Sequence, residues 1–149
     1  HGMAAMFGEF PIVVAQNVIW SDMDAFGHVN NAVYLRYFED GRMAYFDRIG
    51  VDEYKQQANL GPIMARVSCD FRAPLHYPDA IQIGTRSVLL SAGKLSMHFA
   101  VYSEKLGRIV ADGEGLVLYY DYSLGRSCDI PQPIVAAMEN LEGQIWLTC

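Results

Sequence analysis

The most informative stretch of the chain is Trp20-Ser21-Asp22-Met23-Asp24-Ala25-Phe26-Gly27-His28-Val29-Asn30-Asn31-Ala32-Val33-Tyr34. The segment that leads into it, residues 12–20, is rich in Val and Ile and predicts a first β-strand. The stretch itself holds two carboxylates, a Gly-His turn and two asparagines, and a pattern of helical period follows at once. We therefore expect carboxylates beside a helix N-terminus, where free N–H groups and the helix dipole favour negative charge.

Apolar residues recur at helical spacing from residue 31 to about residue 48 and predict one long helix. Asn30 or Asn31 is the expected N-cap, because an asparagine side chain accepts a free N–H of the first turn. Gly50 is expected to end the helix. Arg36 and Asp40, four residues apart, predict a weak ion pair on the outer face.

Gly41 interrupts this helix, at a cost of about 1 kcal/mol relative to alanine. The reason we expect for it is close approach of the helix to a sheet. On the last strand of the pattern, Ala111, Gly113 and Gly115 share one face and form a small-residue track on which a helix packs closely.

A short linker is predicted over residues 51–59, and alternation of period two then takes over. In the next strand one set of residues alternates with another: Ile63, Ala65, Val67, Cys69 and Phe71 with Met64, Arg66, Ser68 and Asp70. Tight turns are expected at 91–94 and 106–107, and a long strand runs from about 109 to 120. The tail, residues 122–149, contains one predicted helical segment at 134–141.

Composition bounds the class of protein. The 149 residues are 52% hydrophobic and 19% charged, with a net charge of −6, which indicates a folded protein and disfavours nucleic-acid binding through a basic field. No apolar run reaches the length of a membrane span, so a cytoplasmic location is the default expectation. We interpret His1-Gly2, ahead of Met3, as an expression scar.

Metal and disulfide sites are not expected. Cys69, Cys128 and Cys149 lie far apart, without a CxxC spacing or a nearby histidine ligand pattern. His76 and His98 are scattered and are interpreted as solvated side chains. We therefore predict no metal site.

The order of elements is strand, long helix, then four strands joined by tight turns, which predicts one α+β domain over residues 1–149. That order and the opening stretch resemble the hotdog fold, a five-stranded antiparallel sheet wrapped around one long central helix. The pattern D-x-D-x-x-G-H-V-N-N-x-x-Y, from Asp22 to Tyr34, resembles the acyl-CoA thioesterases of the hydroxybenzoyl-CoA type. The likeness extends through residues 71–79 and to the small-residue track, and ends near Tyr120.

The resemblance implies a hydrolase that converts acyl-CoA to a free acid and CoA, without a metal or redox cofactor. It implies that Asp24 is the catalytic nucleophile or general base, and that the backbone near Asn31 polarises the thioester carbonyl. His28 is expected to orient Asp24, with a general base and a purely structural turn histidine as the alternatives. Four residues are expected to bind the acyl group: Phe26, Tyr34, Phe38 and Met64.

Other readings of the same residues stay open. Asp22 is interpreted as structural, and a lone Asp24 would also fit a capping carboxylate. Tyr34 and Phe38 at helical spacing are as readily plain core residues. None of the strand arginines and lysines is singled out for phosphate binding.

Two rival functions share the predicted fold, since a fold does not fix a reaction. One is a hydratase or dehydratase acting on acyl thioesters, and the other is a module that binds acyl-CoA without catalysis. An acyl carrier protein is an alternative to CoA as the carrier. The resemblance also implies a homodimer or homotetramer with the site at a subunit interface.

Overall fold

The computed structural model describes residues 9–146, so that the expression scar interpreted at residues 1–2 and the end of the tail lie outside the described residues. Within residues 9–146 the α-helices and β-strands follow one another along the chain in a simple order. They are β1 (Ile12–Asn17), α1 (Val33–Ile49), α2 (Val51–Ala58), β2 (Leu60–Phe71), β3 (Ala80–Ser91), β4 (Lys94–Ser103), β5 (Arg108–Asp121), β6 (Arg126–Ser127) and α3 (Gln132–Glu142).

The strands form one antiparallel sheet in the order β1-β3-β4-β5-β2, with β6 added against the end of β5. The two hairpins β3–β4 and β4–β5 build its centre, and the hairpin turns fall where the sequence predicts them. β1 and β2 are the two outer strands. Between them in the chain runs α1, which packs on the inner face against β1, β3 and β4.

The core lies between α1 and this inner face. Phe38 of α1 is fully buried and stacks on Phe99 of β4, with ring centroids 4.9 Å apart. Burial of such aromatic side chains is the main source of stability in a domain of this size. The antiparallel sheet wrapped around a central helix confirms the predicted α+β hotdog arrangement, with β6 as a two-residue addition.

Gly41 shows the close approach that the sequence predicts. A Cβ at this position would collide with Thr85 Oγ1 and lie 3.0 Å from Ile83 Cγ2, both on β3. Gly113, on β5, leaves room for the Phe38 ring, which would lie 2.6 Å from a Cβ there. Gly115 instead faces Met64 of the neighbouring strand, so only part of the small-residue track contacts the helix.

The alternation predicted for β2 is wrong in its first half. The pairing with β5 shifts between Met64 and Arg66, which makes Ala65 the extra residue of a bulge. The bulge exchanges the two faces, so that Met64 packs against the core together with Val67 and Cys69. A single inserted residue moves every side chain before it to the opposite face of the sheet, because side chains along a strand alternate with a period of two.

Two further predictions of local structure need correction. The strand expected over 12–20 ends at Asn17, and Trp20–Asp22 forms a turn of 3-10 helix. The linker expected over 51–59 is a helix, α2, which follows α1 after the left-handed Gly50. Gly50 does end α1, at φ 82°, but one left-handed residue redirects the chain without preventing a second helix.

None of the helices within residues 9–146 is long and apolar enough to cross a bilayer.

Candidate active site

Asp24 lies in a tight turn that closes on itself between β1 and α1. The Asp24 N–H donates to the His28 carbonyl at 2.9 Å, and the Gly27 N–H donates to the Asp24 carbonyl at 3.1 Å. Gly27 adopts φ 84°, a left-handed conformation that glycine tolerates best. Met23 and Val29 form an antiparallel bridge just before and after the turn. The carboxylate is thus presented on a constrained segment of backbone.

The two oxygens of the Asp24 carboxylate have different neighbours. Oδ1 accepts the Phe26 N–H at 2.9 Å and so helps to shape the turn. Oδ2 lies 3.8 Å from His28 Nδ1, a distance at which a protonated imidazole attracts the carboxylate without a direct hydrogen bond. The Asp24 side chain is 24% exposed, so the carboxylate is partly shielded yet open to a reactant.

The N-terminus of α1 adjoins this turn. Asn30 Oδ1 accepts the Ala32 N–H at 3.0 Å, and the Asn30 carbonyl accepts the Val33 N–H at 2.9 Å. Asn30 therefore caps the turn that leads into the helix, while the N-cap position proper is Ala32. The Asn31 N–H finds no acceptor within residues 9–146. It is a free donor at the positive end of the helix dipole.

A small open pocket of about 270 Å³ joins these groups to the end of β2. Its lining residues are His28, Val29, Asn31, Tyr34, Phe71, Arg72, Ala73 and Pro74. Burial raises the pKa of Tyr34 to about 12, so its hydroxyl stays protonated at neutral pH. The pocket thus brings together His28, Asn31 and Tyr34 of the predicted site residues.

The other predicted acyl-binding residues lie apart from this pocket. Phe26 is 85% exposed at the tip of the turn, and its ring lies parallel to that of His28 with centroids 6.5 Å apart. Phe38 is buried in the core of the single chain. Met64 lines a second pocket, of about 470 Å³, between the C-terminal half of α1, α2 and the start of β2.

Two contacts that hold the turn have no local signal in the sequence. Arg36 pairs with Asp22, 14 residues away, and not with Asp40, which accepts a hydrogen bond from Gln16 at 2.6 Å. His76 Nδ1 lies 2.8 Å from the Gly27 carbonyl, which can only accept, so the ring donates from Nδ1. His76 is exposed, in keeping with its interpretation as a solvated side chain, and the structure adds this one hydrogen bond to the turn.

Charged residues near the pocket are mostly paired. Arg72 makes two hydrogen bonds to Asp112, at 2.6 and 2.9 Å, and this carboxylate raises the pKa of the guanidinium. Within residues 9–146 no three His, Cys, Asp or Glu side chains gather as a metal-binding group. The site therefore presents an imidazole and a free backbone donor at an open pocket. The Asp24 carboxylate lies beside His28 but is not among the residues that line this pocket.

Solved structures and curated proteins resemble this chain. A thioesterase of Thermus thermophilus, crystallised with coenzyme A and Zn, is 33% identical, with a TM-score of 0.79 over 91% of this chain and 97% of that chain. The L-carnitine dehydrogenase/betainyl-CoA thioesterase of Agrobacterium fabrum is 25% identical over 84% of this chain. A chloroplastic acyl-acyl carrier protein thioesterase of Arabidopsis thaliana is 26% identical over 67% of it.

The chain spans 25% and 53% of the lengths of those two curated relatives. The model of the thioesterase-like superfamily matches residues 18–138, which contain the Asp24 turn, all of α1 and every long strand except β1. The family model covers well over half of the chain, and the chain belongs to the thioesterase-like superfamily.

Proposed function

We propose that this protein hydrolyses acyl-CoA thioesters to the free carboxylic acid and CoA. One observation carries the proposal: the Asp24 carboxylate lies in the turn that leads directly to the free Asn31 N–H at the start of α1. A thioester needs little else, since its carbonyl is electrophilic and a thiolate leaves readily. The match to the thioesterase-like superfamily supports this reaction.

In the proposed reaction the carbonyl oxygen of the thioester accepts the Asn31 N–H. Charge developing on that oxygen is stabilised by the donor and by the helix dipole, and one such donor typically contributes about 10²–10³ in rate. As the tetrahedral intermediate collapses, the C–S bond breaks and CoA leaves as the thiolate, which takes up a proton.

Asp24 has two possible parts in the attack. As a general base it takes a proton from a water molecule, whose oxygen bonds to the carbonyl carbon. As a nucleophile its own oxygen forms that bond, and water then hydrolyses the resulting anhydride. In both cases His28, 3.8 Å from Oδ2, orients the carboxylate.

The 270 Å³ pocket is the proposed place of the thioester group, with Tyr34 as its wall. We propose that the acyl chain contacts Phe26 and Met64, two apolar residues that lie apart from this pocket, while Phe38 contributes from the core. Phe26 is exposed and Met64 half-buried in a separate pocket, so a single chain does not join them.

A second copy of the chain is the proposed means of joining these surfaces. Among the strands of residues 9–146, β2 pairs with β5 along one edge only, and a twelve-residue outer strand is an open template for pairing with another strand. Two β2 strands paired antiparallel about a two-fold axis bring the Phe71 end of one close to the Met64 end of the other. We therefore propose a homodimer, or a tetramer built from two such dimers, with the site at the interface.

CoA is the proposed carrier, in line with the Thermus thioesterase crystallised with coenzyme A. The Arabidopsis relative, named for acyl-acyl carrier protein hydrolysis, makes a carrier protein the second candidate. The reaction as proposed uses no cofactor, since CoA is part of the substrate.

Thiol release from a panel of acyl-CoAs, with aromatic, short, branched and long acyl groups, tests the proposed function. We expect turnover of at least one class of acyl-CoA, and the same acyl groups on a carrier protein compare the two carriers. Hydration of an enoyl-CoA without thiol release would favour the hydratase instead. A ligand-induced rise in melting temperature without any turnover would favour a binding module.

A further inference from the structure

The ion pair between Asp22 and Arg36 links the Asp24 turn to the body of α1. Arg36 lies on the first turn of the helix, and its Nη1 donates to Asp22 Oδ1 at 3.2 Å while Nη2 donates to Asp22 Oδ2. Such a two-point contact between a guanidinium and a carboxylate fixes direction as well as distance.

Asp22 also forms the base of the turn through its backbone. Its carbonyl accepts the Asn30 N–H at 3.0 Å, so residues 22 and 30 close the segment that carries Asp24. Asp24 lies two residues after Asp22, and Asn31 lies one residue after Asn30. The hydrogen bond between residues 22 and 30 therefore holds together the two backbone segments that carry Asp24, proposed for the attack, and Asn31, proposed to polarise the carbonyl.

The Asp22 carboxylate is shielded from water, with a side chain that is 12% exposed, whereas Arg36 is 43% exposed. A shielded carboxylate needs a partner, because an unpaired charge out of water is costly. The contact raises the pKa of Arg36, chiefly through the hydrogen bond to Asp22. Arg36 is the one cation that pairs with this carboxylate in the part of the chain that the structure describes.

We infer that Arg36 is a positioning residue: by holding Asp22 it fixes the distance between the Asp24 carboxylate and the Asn31 N–H. This inference rests on the proposed function for its kinetic consequence, and on the structure alone for the geometry. Reactive groups displaced by about 1 Å can lose roughly 10²-fold in rate.

Three substitutions on one helix test it. Arg36→Gln removes the ion pair, and Arg36→Lys keeps the positive charge but cannot make the two-point contact with the Asp22 carboxylate. Arg48→Gln makes the same change as Arg36→Gln at an exposed position with no ion pair within residues 9–146. Two quantities are measured: kcat and KM for the best acyl-CoA, and residue-resolved amide hydrogen exchange by NMR.

We expect Arg36→Gln to lower kcat by about 10–100-fold with KM within about twofold, Arg36→Lys to recover part of that loss, and Arg48→Gln to match wild type. Exchange of the Asn30 amide should accelerate at least several-fold in Arg36→Gln. The Val29 amide, which donates to the Leu75 carbonyl at 2.8 Å, should keep its protection and report that the fold is intact.

Unchanged protection of the Asn30 amide in Arg36→Gln would overturn the inference, as would a raised KM with kcat retained. If wild type hydrolyses no thioester, the proposed function fails while the exchange measurement still decides whether Arg36 holds the turn.

Discussion

Glu142, the last residue of α3, is a half-buried carboxylate that ties three elements together. Its Oε2 accepts the Tyr45 hydroxyl of α1 at 2.5 Å and the Ser87 N–H of β3 at 2.7 Å. The Ser87 N–H lies on β3 beyond the last residue paired with β1, so Glu142 satisfies a backbone donor at an open strand edge. Burial raises the pKa of the Glu142 carboxyl above its ordinary value of 4.5.

The raised pKa predicts how Glu142→Gln affects stability at different pH. The native state holds the Glu142 proton more tightly than the unfolded chain, so wild type gains stability relative to the variant as pH falls through the native pKa towards 4.5. The melting temperature of Glu142→Gln minus that of wild type should therefore decrease from pH 8 to about pH 4.5. Each kcal/mol corresponds to about 2–4 °C for a chain of this size.

Glu139→Gln makes the same substitution at an exposed position on the same helix, and it is the matched control against which the pH dependence of Glu142→Gln is compared. A difference for Glu142→Gln that stays flat, or that grows as pH falls, would contradict a raised pKa.

Individual site residues differ in how far the sequence predicts them. Asp24, His28 and Asn31 are named by one local pattern, and the structure places them around one turn and one helix end. Arg36 pairs with Asp22 because the 3-10 turn at 20–22 carries that carboxylate against the first turn of α1. The spacing of residues along α1 favours Asp40 as the partner of Arg36, because helical spacing contains no information about a carboxylate outside the helix.

At the scale of elements, Gly41 shows how sheet contact overrides helix propensity. Gly41→Ala normally stabilises a helix by about 1 kcal/mol. Here the added Cβ meets Thr85 Oγ1 and Ile83 Cγ2 at the buried contact of α1 with β3, and overpacking typically costs about 1–3 kcal/mol. We expect a net loss of up to about 2 kcal/mol in the free energy of unfolding, measured with urea.

The double variant Gly41→Ala/Thr85→Ala removes the obstructing Oγ1. Its loss in the free energy of unfolding should therefore be smaller than the sum of the losses of the two single variants. A Gly41→Ala protein more stable than wild type would contradict the close approach.

The elements that the sequence predicts well are those with a continuous period. α1, the β3–β4 hairpin and α3 fall within one or two residues of their predicted positions, and the β4–β5 turn is right as well. The bulge at Ala65 is invisible to periodicity because alternating residues on either side of it each look regular. α2 is missed because a stretch of eight residues with one buried apolar side chain, Val51, resembles a polar linker.

The whole molecule presents a long outer strand on the side of the sheet that carries the candidate site. Since β2 leaves its second edge open within residues 9–146, we expect the protein to sediment at twice its chain mass of 16.7 kDa or more. Analytical ultracentrifugation at the concentration of the activity assay checks this. A fully active species of 16.7 kDa would show that one chain holds a complete site.

The Asp24 carboxylate is proposed to drive the attack on the thioester, as nucleophile or as general base. The most direct test of this role is kcat for Asp24→Asn with the acyl-CoA that wild type hydrolyses best, beside Asp129→Asn at an exposed position that lines neither the 270 Å³ nor the 470 Å³ pocket. We predict that Asp24→Asn lowers kcat by about 10²–10⁴-fold with an unchanged melting temperature, while Asp129→Asn behaves as wild type. An Asp24→Asn protein that keeps the wild-type kcat would contradict the proposed role of the Asp24 carboxylate in the attack.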